Sequence, residues 1–296
     1  MARYGIPYQG SKSSIADEII AALPSGNRLV DLFGGGFAIS ECALLSHKWQ
    51  KVLYNDINPL AVQLVKDAID GKYSYKNFTP EWISREEFFK RKDTDGYVKW
   101  CWSFGNDGHT YIYGREIEDE KHKGHDFCVY GKPIDGLDVQ TDKNDITSRR
   151  LALNSFMVLQ HLQRVERIQN LEYLQAPEYA KKLQISCADY KEYEYQDGDV
   201  VYCDIPYQNS SDAHRKDHMY QVDFDWGAFY SWAISRPYPV YFSSYKLGGI
   251  VWERDKNVLK CKDSNSIIRR EVLYCVDNDF QEPEKSYQGT LFERIL

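Results

Sequence analysis

Acidic residues that close short apolar runs carry the chemistry this sequence offers. Val200-Val201-Tyr202-Cys203 stops at Asp204, and Ile205, Pro206 and Tyr207 follow. The Asp204 carboxylate and the Ile205 carbonyl are two acceptors, Pro206 fixes the turn, and Tyr207 offers a flat face. Two acceptors converging on a planar exocyclic amine draw its protons aside and leave the nitrogen lone pair aimed at an electrophile. Stacking of a base on an aromatic ring contributes roughly 1–3 kcal/mol, which offsets part of the few kcal/mol needed to unstack it from a duplex. A strand that simply turns at Pro206, with Tyr207 as a packing residue, is the plainer alternative on these residues alone. Upstream, Arg28-Leu29-Val30-Asp31-Leu32-Phe33 is broken by Gly34-Gly35-Gly36, a turn in which missing Cβ atoms let a ligand approach the backbone. Neither a phosphate loop nor the G-x-G-x-x-G dinucleotide pattern is present, which disfavours a nucleoside triphosphate. Asp56, in Asn55-Asp56-Ile57-Asn58, can accept two hydrogen bonds from a ribose diol or serve a following helix as a cap.

These acids need a frame, and the pattern supplies one. Ser13 to Leu23 has apolar residues at helical spacing and ends at Pro24. The Arg28–Phe33 strand, glycine turn and Phe37–Leu45 helix form one unit; the Lys51–Tyr54 strand, acidic loop and Pro59–Ile69 helix form a second. Such alternation predicts a parallel sheet, and ligands of doubly wound sheets sit beyond the carboxyl ends of the strands. From about Lys72 the character changes. Lys76 to Asp95 is charged and helical in parts, and Trp100 to Gly114 reads as a hairpin or glycine-rich loop. Thr147 to Val165 is expected to form one helix. Short strands are expected at Leu183–Ala188, Val200–Cys203, Pro239–Ser243 and Val272–Val276, a helix at Asp225–Ser235, and an edge strand at Leu291–Leu296.

Composition sets bounds on function. The 296 residues are 43% hydrophobic and 27% charged, enough for one large domain or a domain with an insertion. No apolar run is long enough to span a membrane, and the N-terminus lacks a signal-peptide stretch, so a cytoplasmic protein is expected. Seven cysteines (Cys42, Cys101, Cys128, Cys187, Cys203, Cys261 and Cys275) are scattered without C-x-x-C pairs, which predicts reduced thiols and no metal site. A net charge of −7 argues weakly against a polyanionic partner, but binding depends on local patches.

Taken together, the motifs resemble a known family. Asp204-Ile205-Pro206-Tyr207 resembles the DPPY motif of amino-methyltransferases, with Ile205 where the family usually has its first proline. Asp31-Leu32-Phe33-Gly34-Gly35-Gly36 resembles their F-x-G-x-G cofactor loop, and Asn55-Asp56-Ile57-Asn58 their acidic loop. Tyr8-Gln9-Gly10-Ser11-Lys12 is similar to the W/Y-x-G-x-K segment of the Dam-like (D12 class) DNA adenine-N6 methyltransferases, and the motif order also agrees. The resemblance implies an α/β, Rossmann-like methyltransferase sheet (residues 1–72 and 172–296) with an inserted, smaller, mainly helical target-recognition domain at 73–171.

By the same resemblance the reaction is site-specific transfer of a methyl group from S-adenosylmethionine to N6 of an adenine flipped out of double-stranded DNA. It requires no metal and no obligate protein partner, in a bacterial or phage-encoded setting such as restriction–modification. Asp204, Ile205, Pro206 and Tyr207 would hold the target base. Tyr8, Lys12, Asp31, Phe33, Gly34, Gly36, Asp56, Ile57, Asp189 and Asp204 would line the cofactor pocket: Lys12 near the methionine carboxylate, Asp31 and the glycines along the methionine, Asp56 on the ribose. Asp189 would sit at the cofactor adenine; as a residue it is equally a solvated turn acid. Phe104-Gly105-Asn106-Asp107-Gly108 resembles the aromatic-Asn-Gly loop by which relatives touch DNA. A DNA face is expected from Asn106, Arg115, Lys121, Lys123, Lys132, Arg149, Arg150, His214, Arg215 and Lys216, with Arg164 and Arg167, although any one basic residue on a helix is usually just its solvated face. Two other readings stay open at this point: a methyltransferase for another planar amine (cytosine N4, an RNA base, a protein glutamine), and a catalytically retired nucleic-acid-binding homologue.

Overall fold

The computed structural model describes residues 3–134, 146–153, 157–206, 224–245, 258–262 and 268–276. Among them the chain forms two compact units. The first comprises 1–4, 12–57 and 181–296, and the second comprises 5–11 and 58–180.

The first unit is built on a seven-stranded sheet. Its strands are β1 (Arg28–Asp31), β2 (Lys51–Asn55), β3 (Leu183–Ser186), β4 (Asp199–Cys203), β5 (Val240–Tyr245), β6 (Val258–Lys262) and β7 (Ile268–Val276), in the order β3-β2-β1-β4-β5-β7-β6. The first five pair in parallel; β7 runs antiparallel to β5, and β6 antiparallel to β7. All four residues of β1 are buried, as a strand covered on both faces requires. Val30, Val201, Cys203, Val240 and Phe242 pack against Phe229, Tyr230, Trp232 and Ala233 of helix Trp226–Ile234, whose Asp225 caps its first turn. Arg28 and Asp199 lock the amino-terminal ends of β1 and β4 through two hydrogen bonds of 2.9 and 2.7 Å, nearly out of water. This is the expected Rossmann-like α/β sheet.

Topology then places the chemistry. After β1 the chain builds outward through β2 and β3, then returns to add β4 on the other side of β1. The sheet therefore reverses direction of growth between β1 and β4, the position at which doubly wound sheets open a crevice. Asp31 ends β1 opposite Tyr202 of β4, two residues before Asp204. The Leu32 amide donates to the Tyr202 carbonyl at 3.0 Å, continuing the pairing to the strand tips.

The second unit is helical among its described residues, apart from one antiparallel bridge between Ser103 and Tyr111. Helix Glu118–Tyr130 was not anticipated in the aromatic-rich stretch. It carries acids in its first turn, ends at left-handed Gly131, and has Gly124 in its middle. A Cβ on Gly124 would lie 2.6 Å from the Met157 sulfur, so packing explains a residue that helix propensity disfavours. The single helix expected over 147–165 is instead two, Ile146–Leu153 and Gln160–Asn170. Leu159 lies outside helical geometry as the N-cap of the second, and the break lets Leu153, Leu159 and Leu162 all reach the cluster around Phe127, Cys128 and Val129. The proposed Leu291–Leu296 strand lies outside the described residues. Among the described residues no helix is long and apolar enough to cross a membrane.

Candidate active site

The glycine turn after β1 is shaped from below by Tyr54. A Cβ on Gly34 would stand 2.3 Å from the Tyr54 ring, and the Tyr54 hydroxyl donates to the Gly35 carbonyl at 2.8 Å. Gly35 takes a positive φ of 43°, and its amide donates to Asp56 Oδ2 at 2.7 Å. The turn closes with Phe37 in the left-handed region, at φ 70°, a cost accepted where surrounding packing fixes the backbone. Phe37 is buried edge-on against Tyr54. The loop after β2 is thereby tied to the loop after β1.

Asn55 adds a second tie that sequence reasoning did not assign. Its Nδ2 donates to the carbonyls of Leu32 and Ala188 at 3.1 and 3.0 Å, and its Oδ1 accepts from the Ala188 amide at 3.1 Å. One side chain joins the exits of β1, β2 and β3.

Asp31 is fully buried. Its Oδ2 accepts from the Ser40 hydroxyl at 2.7 Å, while Oδ1 is buried with no hydrogen-bond partner among the described residues. Burial, with smaller contributions from the charges of Asp204 and Asp56, pushes its carboxyl up to about 7 against the pull of Ser40.

At the exit of β4, Asp204 Oδ1 pairs with Lys12 Nζ at 2.8 Å and accepts from the Ser243 hydroxyl at 3.2 Å. Burial raises its carboxyl above the usual range, outweighing both donors. The Ile205 side chain is buried in the sheet core beside Leu32 and Val201. Trp226 Nε1 donates to the Pro206 carbonyl at 2.7 Å. Packing and this bond hold the turn that a second proline ring would otherwise stiffen. Tyr207 lies outside the described residues, as do His214, Arg215 and Lys216.

The remaining candidates are distributed as follows. Phe33 packs against Tyr190, Phe224 and Phe229, and Gly36 is buried within the turn. Ile57 is 66% exposed at the tip after β2. Asp189 caps the turn at Tyr190–Glu192 by accepting from the Lys191 amide at 2.9 Å. Tyr8 belongs to the second unit, where its ring meets Trp100 at 5.2 Å and Arg167 holds the neighbouring Gly5 and Ile6 carbonyls.

Several basic residues are spent inside the second unit. Arg149 is buried and donates to the carbonyls of Cys128 and Val129, so it does not present its guanidinium to a phosphate. Arg164 likewise donates to the Cys101 carbonyl at 3.0 Å, and Arg150 pairs with Glu166 at 2.6 Å. Lys121 donates to the Val158 carbonyl, and Lys132 is exposed and paired with Asp126. Arg115 and Lys123 are exposed. Asn106 adopts a left-handed φ of 60° and donates to the Trp100 carbonyl at 2.8 Å, beside exposed Phe104.

Residues 8–133 match the family model described as D12 class N6 adenine-specific DNA methyltransferase. Over these residues the chain is similar to this family. The match takes in the N-terminal lysine segment, the glycine turn, the acidic loop and much of the second unit, and it ends before β4. No curated protein matches the chain. The activity of this methyltransferase family is N6 methylation of adenine in DNA, and the residues above are its candidate machinery.

Proposed function

We propose that this methyltransferase uses S-adenosylmethionine to methylate N6 of an adenine turned out of duplex DNA, with Asp204 and the Ile205 carbonyl as acceptors for the target amine. One observation carries the reading: at the sheet's switch point, Asp204 has one oxygen held by Lys12 and Ser243, and the other has no partner among the described residues. That second oxygen and the adjacent carbonyl supply the two acceptors a planar amine needs.

The donor site fits a cationic amino acid conjugate. Asp31 Oδ1, a buried acceptor with no partner among the described residues, is suited to an ammonium group, and Asp31, Asp56 and Asp204 outnumber Lys12 at the strand exits. S-adenosylmethionine, when bound, supplies a methyl group already activated by its sulfonium. Asp56 accepts from the ribose hydroxyls, Ile57 offers an apolar face to the cofactor adenine, and Asp189 accepts at its edge. Lys12, which pairs with Asp204, is the residue assigned to the methionine carboxylate. Phe33, Gly34 and Gly36 shape the methionine channel. The protein's work is orientation and electrostatic placement: Asp204 and Ile205 hold the amine, and Tyr207 stacks the ring. Asp204 is not required as a strong base, because the extra proton leaves after transfer.

The inserted region, residues 73–171, is the target-recognition part. Asn106, Arg115 and Lys123 are its candidate DNA contacts, and His214, Arg215 and Lys216 are candidates in the catalytic part of the chain. Purified protein incubated with S-adenosylmethionine and unmethylated duplex DNA should yield N6-methyldeoxyadenosine on nucleoside mass spectrometry. Asp204→Ala should abolish the product while cofactor binding persists by calorimetry. Product formation by that variant refutes the assignment.

A further inference from the structure

The exits of β4 and β5 bring together a hydroxyl relay that no motif contains. In the parallel register Cys203 stands opposite Phe242, so Asp204 comes opposite Ser243. Ser243 is fully buried, and its Oγ lies 3.2 Å from Asp204 Oδ1 and 2.8 Å from the hydroxyl of Tyr202, also fully buried. A serine hydroxyl has one proton. If it goes to the carboxylate, which accepts only, the Tyr202 hydroxyl must donate to Ser243. The direction of the chain is thus fixed: Tyr202 to Ser243 to Asp204. Lys12 meets the same carboxylate oxygen at 2.8 Å.

We propose that Ser243, oriented by Tyr202, is a positioning residue that fixes the rotamer and charge of Asp204. Its hydroxyl and the Lys12 ammonium both occupy Oδ1, which leaves Oδ2 as the acceptor turned to the target amine. The inference rests on the proposed role of Asp204. A buried hydroxyl aimed at a carboxylate favours the ionised form, and the Ser243 bond pulls the Asp204 carboxyl down against the effect of burial. Without that donor, Asp204 protonates at higher pH and is held through Oδ1 by Lys12 alone.

The test compares wild type, Ser243→Ala, Ser243→Thr and Tyr202→Phe in single-turnover methylation of duplex DNA at saturating cofactor, across pH, with cofactor affinity measured in parallel. Ser243→Ala should lower the neutral-pH rate about tenfold, the scale of one lost hydrogen bond to a charged group. It should also move the acid limb of the rate profile to higher pH, with cofactor affinity unchanged. Ser243→Thr, which restores the hydroxyl on a strand-compatible side chain, should recover most of the rate and the wild-type limb. Tyr202→Phe should shift the limb in the same direction by less, and it decides the matter if Ser243→Ala does not fold. An acid limb that stays at its wild-type position in an active, folded Ser243→Ala protein overturns the inference while leaving the methyltransferase reading intact. A wild type that makes no methylated adenine overturns that reading, and this inference falls with it.

Discussion

Replacing Asp31 by asparagine tests whether the strand exits store an unfavourable charge that a cationic ligand would relieve. Asp31 is fully buried and its carboxyl is pushed from 3.8 to about 7, first by burial and then by Asp204 and Asp56. Between those two values the folded protein holds a proton that the unfolded chain has lost, so stability falls as pH rises through the window. A shift of roughly three pH units corresponds to on the order of 4 kcal/mol of destabilisation above pH 7, an upper bound before local relaxation. Asparagine keeps the shape and can still accept from Ser40, but it cannot ionise. It introduces a buried amide NH2 group, which costs about 1–3 kcal/mol or more if unpaired, at every pH alike. The informative quantity is therefore the change with pH in the stability difference between the two proteins. Urea unfolding of wild type and Asp31→Asn at about pH 5 and about pH 8 should show the variant gaining some 2 kcal/mol relative to wild type at the higher pH. Cofactor affinity of the variant should fall, since the ammonium loses its anion. A stability difference that does not change with pH would refute the argument that Asp31 is buried as a strained anion.

Other sites make separate claims. Gly34→Ala would force a methyl group into the Tyr54 ring at 2.3 Å and should weaken cofactor binding at least tenfold, measured by calorimetry, with the fold retained by circular dichroism. Arg28→Ala breaks a buried two-bond ion pair, leaves Asp199 with a less compensated charge, and should cost about 3–5 kcal/mol in denaturant unfolding. The double variant Arg115→Ala, Lys123→Ala should reduce the magnitude of the salt slope of DNA binding by up to about 2, whereas Arg149→Lys should leave that slope unchanged and lower stability.

Much of the sheet was legible because parallel strands buried on both faces read as short apolar runs ending in glycine or acid. β1, β2 and β4 are of this kind, and Asp31, Asp56 and Asp204 fall where those runs end. The second unit was harder to read. Helix Glu118–Tyr130 is polar along most of its length and is interrupted by Gly124, whose reason for being there is the Met157 sulfur, a contact no local window contains. The 3.6-residue pattern runs straight through the helix break after Leu153, and the hydrogen bonds that hold Arg149 inward go to carbonyls about 20 residues away. Ser243 was invisible for another reason: its link to Asp204 arises from the register between two strands nearly 40 residues apart, and register is set by the whole sheet.

The Asn55 clamp has a consequence for how long the molecule can last. Its amide nitrogen faces two carbonyl oxygens, and only a donor can sit there. Hydrolysis of that amide to a carboxylate, the common ageing reaction of asparagine, would set an acceptor against two acceptors and add a negative charge beside Asp56. The exits of β1, β2 and β3 would be pushed apart by a change of one mass unit. The three hydrogen bonds that make Asn55 irreplaceable also hold its side chain away from the backbone attack that starts this reaction, so the clamp protects itself for as long as it stays closed.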